Sequence, residues 1–382
     1  MAVSKKRVVR AAGTKRRVTK KGAKAGGGKS LKYDVVLLGR YAHYSEDPTF
    51  AADLIVGGQD RAGRPGQTQA AIWRSPGTGW ELLPDPRGTT RSSVALRGSG
   101  DCRVVVGYAN DADASVPYPV VWRMDRRGAW VAGELALPDR AIGGTARGLA
   151  PGGITGDALQ PDRATWTAVY WRERSMWQPE ELTSLGGRQA YGVVGRISGD
   201  VRPTILGNTR TASSPIVSRA VVWTRRSWRG IPWRGKLLPT LPPQDGADPK
   251  SLAAEMVSAG WGWVVGSSAV RGPDDFRAVL WESDGNPVDL GAGEMSEAMG
   301  VCGGTVVGVV GSPWRAFRWT RDQGVVSIHP EGWSESLAAD IDGAGRIVCI
   351  GKGPYDGDWG MFLLVPKKHG PAPAKKAMRS NR

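Results

Sequence analysis

A short apolar phrase closed by tryptophan returns along most of this chain at a near-constant distance. It stands as Ala70-Ala71-Ile72-Trp73, Pro119-Val120-Val121-Trp122, Ala168-Val169-Tyr170-Trp171, Ala220-Val221-Val222-Trp223, Ala278-Val279-Leu280-Trp281 and Ala316-Phe317-Arg318-Trp319. Met361-Phe362-Leu363-Leu364 keeps the shape without the indole. Successive copies lie 49, 49, 52, 58, 38 and 45 residues apart. Upstream of each is a β-branched run closed by glycine, at Gly57, Gly107, Gly156, Gly207, Gly266, Gly308 and Gly351. A phrase of small residues precedes most of these, as in "SLAAEM" from Ser251, "SEAMGV" from Ser296 and "SLAADI" from Ser336. A fourth phrase follows most tryptophans, as in "WELL" from Trp80 and "PVDL" from Pro287.

Four β-rich phrases separated by turn residues and repeated every 40 to 50 residues or so predict the blades of an all-β propeller, each a four-stranded antiparallel sheet. Residues 33–366 hold seven such units, about 48 residues each. The seventh lacks a fourth phrase, whereas "YDVVLLG" (Tyr33 to Gly39) is an orphan fourth phrase at the other end. The expectation is a seven-bladed β-propeller closed by that N-terminal strand, since closure leaves only short edges open to foreign strands. The recurring indole reads as a wedge between neighbouring units that needs one partner for its N–H. Trp130, Trp166, Trp177, Trp228, Trp233, Trp261, Trp314, Trp333 and Trp359 stand off the phrase and are candidates for an exposed stacking platform.

The pattern S-x-A, V-V-G, A-F-x-W and D-L-G, with a last unit ending "MFLLVP", resembles the HAF-repeat proteins. The resemblance covers most of 33–366 and is sharpest in the last three units. It implies a propeller-like β-fold and no settled activity, so it carries over no catalytic residue. Where that family places histidine before Ala-Phe, this chain has Arg277 and Arg315 before the alanine.

The formal charge of +16 is unevenly spread. Residues 1–32 hold twelve cations and no acid: Lys5, Lys6, Arg7, Arg10, Lys15, Arg16, Arg17, Lys20, Lys21, Lys24, Lys29 and Lys32. Residues 367–382 add Lys367, Lys368, Lys375, Lys376, Arg379 and Arg382, again without an acid. The body keeps 34 basic against 36 acidic residues and is close to neutral. Poor in large apolar residues, both tails are expected to be disordered arms, 1–32 and 367–382, that bind nucleic acid or another polyanion through all eighteen cations. They contain no Phe, Tyr or Trp, which argues against base stacking.

No familiar catalytic motif is present. "GAKAGGGKS" (Gly22 to Ser30) ends like a phosphate loop but lacks its first glycine, a preceding strand and a following helix. No G-x-S-x-G occurs, and His43, His329 and His369 are far apart. "NDADAS" (Asn110 to Ser115) offers Asp111 and Asp113 but lacks the glycine and closing glutamate of a calcium loop. Asp342-Gly343 suits a hairpin turn. Cys102, Cys302 and Cys349 are too few and scattered for a disulfide framework or zinc cluster, so neither cofactor nor metal is expected. Loops joining phrases two and three carry Asp111, Asp113, Asp162, Arg163, Arg210, Arg271, Asp274, Asp275, Asp356 and Asp358, and that face is where a ligand is expected, if one binds.

These observations lead to an expected non-enzymatic scaffold, tethered to nucleic acid by its tails, with a protein partner on a propeller face. The rival expectation is a propeller enzyme or carbohydrate-binding module using the loop-rich face, the tails serving solubility or targeting. With no signal-peptide core and no membrane-length apolar run, a cytoplasmic or nucleoid-associated location is expected, an organellar or nuclear address staying open.

Overall fold

The computed structural model describes residues 32–40, 47–61, 64–74, 79–88, 90–111, 116–150, 152–182, 187–194, 204–211, 217–225, 232–249, 252–260, 262–272, 275–282, 284–353 and 358–367. Among them are twenty-eight β-strands, from Tyr33–Arg40 to Trp359–Pro366, and no α-helix. No helix among these residues is long and apolar enough to cross a membrane.

The strands associate in chain order. Ser296–Cys302, Thr305–Val310, Arg315–Thr320 and Gly324–Ser327 form one antiparallel four-stranded sheet. Residues 49–82 and 90–134 repeat that pattern as separate sheets. The groups 143–181, 187–237 and 254–289 repeat it too, linked into one longer path by single parallel pairs, Trp166 with Gln189 and Arg219 with Ala254. The last group, Glu335–Ile341, Ile347–Lys352 and Trp359–Pro366, takes its fourth strand from the opposite end of the chain. Tyr33–Arg40 runs antiparallel to Trp359–Pro366, from Tyr33 opposite Pro366 to Arg40 opposite Gly360. First strands of successive sheets lie against one another, so they are innermost, and the fold is a β-propeller.

The repeated phrases now have physical causes. Each phrase tryptophan is buried, and three indoles donate to a carbonyl in the connection from the preceding sheet. Trp122 Nε1 reaches Pro84 O at 2.9 Å, Trp171 Nε1 reaches Ala136 O at 2.6 Å, and Trp281 Nε1 reaches Pro239 O at 2.8 Å. Trp122 packs with Val56, Ile72 and Leu83 of the preceding sheet, which is the wedge role read from the sequence. The serine of the small-residue phrase stitches the same boundary. Ser93, Ser296 and Ser336 accept hydrogen bonds through Oγ from the backbone N–H of Ala70, Ala278 and Ala316, at 2.9–3.0 Å.

The glycine closing the second phrase is required by a close backbone approach. A Cβ on Gly266 would lie 1.9 Å from Glu255 O, and one on Gly308 2.0 Å from Glu297 O. Beside each the inner strand bulges, its register slipping between Met256 and Ser258 and between Ala298 and Gly300. In the last unit the register corrects the sequence alignment. Cys349 faces Ala338 as Gly308 faces Ala298, so Cys349, fully buried, holds the position assigned to Gly351. The turn at Asp342 is also longer than a two-residue hairpin. Asp342 Oδ1 accepts from Ala344 N and Arg346 N, and Gly345 rather than Gly343 takes the positive φ.

Candidate active site at the propeller axis

Two levels of polar residues are set by the inner strands. At the first, Glu255 and Glu297 are the second residues of Ala254–Gly260 and Ser296–Cys302, each one step before the residue that faces the phrase glycine. Their neighbours Ala254, Met256, Ser296 and Ala298 are buried, while both glutamates keep partial contact with solvent. Ser267 Oγ donates to Glu297 Oε1 at 3.4 Å across the boundary between the two sheets. Enclosure by the surrounding strands pushes the Glu297 carboxyl up to about 7, and the nearby charges of Glu255 and Asp47 add to the shift. A carboxyl that exchanges its proton near neutrality is suited to general acid–base work.

The second level lies at the other end of the inner strands, beside the turns into the second strands. Asp340 Oδ2 accepts from Phe50 N at 2.9 Å and stands 3.4 Å from Arg97 Nη1, while Oδ1 accepts from Ile341 N at 2.9 Å. Burial raises the Asp340 carboxyl, although Arg97 and the two amides pull the other way. A cavity of about 680 Å³ opens here, lined by Arg97, Ser258, Val301 and Asp340 among others. Its mouth is formed by turns between first and second strands, at Ala52, Gly100, Gly260, Cys302 and Gly343. The described cavity therefore opens on the face opposite the loop-rich one favoured by the sequence.

Loop charges on that other face mostly build their own loops. Asp111 pairs with Arg87, which also grips Glu134 at 2.5 Å and lies 3.9 Å over the Tyr118 ring. Asp162 accepts from Ala164 N and Thr165 N, and Arg271 pairs with Asp245 at 2.8 Å. Asp275 lies 3.6 Å from Arg277, and Arg163 and Arg210 are exposed. Asp358 has interactions of its own, and Asp113, Asp274 and Asp356 lie outside the described residues. His329 is held by Ser336 Oγ at 2.7 Å and Trp333 O at 2.9 Å, and burial lowers its pKa. His43, His369 and the Gly22–Ser30 stretch are outside the described residues. Among the described residues no group of three His, Cys, Asp or Glu is placed to hold a metal.

Among the described residues the off-phrase tryptophans do not share one exposed platform, and Trp228 and Trp261 lie outside the described residues. Trp233 is buried under Arg225, and Trp177 lies beneath Arg123. Trp314 is 41% exposed and meets Trp359 edge-on at 5.8 Å. Of the eighteen tail cations only Lys32 and Lys367 are described, and the structure brings them together. Lys367 N donates to Lys32 O at 2.8 Å, and Lys367 Nζ pairs with Asp34 at 2.9 Å. The axial residues Arg97, Glu255, Glu297 and Asp340 escaped the sequence reading. The signal for Glu297 and Glu255 was an acid at the second position of "SEAM" and at its counterpart in the preceding unit, where other units carry residues such as Val94 and Leu337.

No family model matches this sequence. No curated protein matches it either. Solved structures do match in fold. A puromycin hydrolase is 14% identical with a TM-score of 0.60, covering 86% of this chain and 55% of its own. A structure from a study of two prolyl endopeptidases is 14% identical with a TM-score of 0.57, covering 87% and 49%. Prolyl oligopeptidase B from Galerina marginata is 10% identical with a TM-score of 0.53, covering 88% and 52%. This chain thus spans about half the length of the proteins it matches. The likeness is one of fold, and it corrects the expectation of a non-enzymatic scaffold. That expectation rested on a propeller without local catalytic motifs, yet the three solved chains that share this build are named as a hydrolase, a prolyl endopeptidase and a prolyl oligopeptidase. Motif absence is a poor guide here because a propeller axis gathers residues from distant strands, as with Glu255 and Glu297.

Proposed function

We propose that this chain is a hydrolytic enzyme built on a seven-bladed, closed propeller over residues 33–366, with its chemistry at the axis. The observation that carries the reading is the placement of Glu297 beside Glu255 on adjacent inner strands, in surroundings that hold one of the two carboxyls protonated near neutrality. In this mechanism Glu255 takes a proton from water as the water attacks the substrate. Protonated Glu297 gives its proton to the departing nitrogen or oxygen, so the bond that breaks is replaced by a bond to hydroxyl. Asp47 keeps the field negative and so favours a neutral or cationic polar substrate. Closure is supported by contacts between the chain's ends: Trp80 Nε1 donates to Leu38 O at 2.9 Å, and Phe50 N donates to Asp340. The repeat phrases also support membership of the HAF-repeat group.

The test is turnover of nitrophenyl esters, nitrophenyl glycosides and aminoacyl nitroanilides by wild type and Glu297→Gln. Wild type should hydrolyse one class with a pH limb near 7, and the variant should lose about 10²-fold or more of kcat with its fold unchanged. Equal rates for the two proteins would overturn the assignment.

A second reading concerns the tails and is favoured by the adjacency of Lys32 and Lys367. Both arms are rooted at one place, and they are proposed to bind a single polyanion, such as nucleic acid, together.

A further inference from the structure

A second pocket, of about 400 Å³, lies between the groups 143–181 and 187–237, away from the axis. Its floor is ionic. Arg225, which directly follows the strand Ser218–Thr224, is 2% exposed and reaches back to the preceding sheet, where its Nη1 lies 2.6 Å from Glu180 Oε1. Arg172, at the end of Trp166–Arg172, approaches the other oxygen of the same carboxylate, Nη2 to Oε2 at 3.3 Å. The register explains the meeting, because Arg172 pairs with Gln178 and Tyr170 with Glu180. One carboxylate thus serves two guanidinium groups, which outnumber it in the pocket lining. Within it, Arg172 Nε is buried and has no hydrogen-bond partner among the described residues. Gln178 and Ser175 complete the polar lining. The Arg225 guanidinium carbon lies 4.6 Å over the Trp233 ring, so the fork is ordered before any ligand arrives.

We propose that this pocket binds a phosphate-bearing small molecule, its oxyanion seated between Arg172 and Arg225. Paired guanidiniums match phosphate oxygens in geometry as well as charge, and a buried guanidinium is weakly enough hydrated to exchange its surroundings for such a ligand. Glu180 is the internal competitor that holds the fork while the site is empty of phosphate. The pocket's size falls within the usual range for small-ligand sites and exceeds what one phosphate fills, so an organic phosphate is the preferred occupant. The inference is independent of the axial chemistry.

Calorimetric titration of the full chain in phosphate-free buffer tests it, with inorganic phosphate, glucose 6-phosphate and AMP as ligands and acetate at matched ionic strength as control. A phosphate ligand should bind saturably at one site, and acetate should not. Arg172→Met should weaken binding about tenfold or more, while Arg172→Lys should lose less. Glu180→Gln should tighten binding several-fold, because it removes the competitor, whereas a purely structural ion triad would show no such gain. Stronger binding of the esters identifies an organic phosphate, and equal binding of inorganic phosphate identifies the free ion as the occupant. Absence of saturable binding up to 10 mM or so, or an Arg172→Met affinity equal to wild type, overturns the proposal.

Discussion

At the residue scale, small side chains matter most where the backbone crowds. Gly266 admits no Cβ, because Glu255 O lies where one would stand, whereas the space around Gly272 is open. Gly266→Ala should therefore cost about 3 kcal/mol or more, and Gly272→Ala should stay within about 0.5 kcal/mol, as read from urea midpoints. Glu297 makes a second prediction, with a definite sign. Its folded pKa, about 7, lies above the ordinary 4.5, so the folded chain holds this proton more tightly than the unfolded chain. The stability it contributes is present below pH 4.5 and is lost as pH rises to 7, a loss on the order of 2–3 kcal/mol. Glu297→Gln should flatten the dependence of stability on pH across that window, with the largest gain over wild type at pH 8. The tryptophans were legible in sequence because the same buried position holds an indole in every unit but the last. Glu255 and Glu297 were not, since a carboxylate in two units out of the series is invisible to a method that looks for repetition.

At the element scale, the strand Tyr33–Arg40 has the most to explain. It is eight residues long, whereas outer strands elsewhere run from three residues, as in Trp80–Leu82, to five, as in Trp130–Glu134. Its pairing with Trp359–Pro366 was readable from "YDVVLLG" because a four-phrase rule left one phrase over at the N-terminal end and one phrase missing from the last unit. Leu38 also packs with Ile55 and Trp73 of the neighbouring sheet. Deleting residues 33–40 should lower the thermal midpoint by 10 °C or more, since an eight-residue strand pairing and the buried Leu38 contact are lost together. A deletion variant that melts with wild type would remove the case for closure. What sequence missed here is the bulge in the inner strands. A bulge is one extra residue without a composition of its own, and it re-aims Ser258 and Asp340 toward the axis. Cys349 shows the same limit: apolar alternation slid the last unit by two positions, and only strand register corrects it.

At the scale of the whole molecule, charge is divided between a near-neutral body and two cationic ends. Removing residues 1–31 and 368–382 should leave the circular dichroism and melting of the body unchanged and abolish binding to duplex DNA. With the tails present, engagement of about six to ten phosphates should cost three to five orders of magnitude of affinity between 50 and 200 mM salt. A flat salt response would remove the polyanion reading. The shared root of the two ends has another side, in synthesis. Tyr33–Arg40 leaves the ribosome more than 300 residues ahead of its partner strand. At usual elongation speeds it waits roughly 15 to 65 s, with Val35, Val36, Leu37 and Leu38 unpaired.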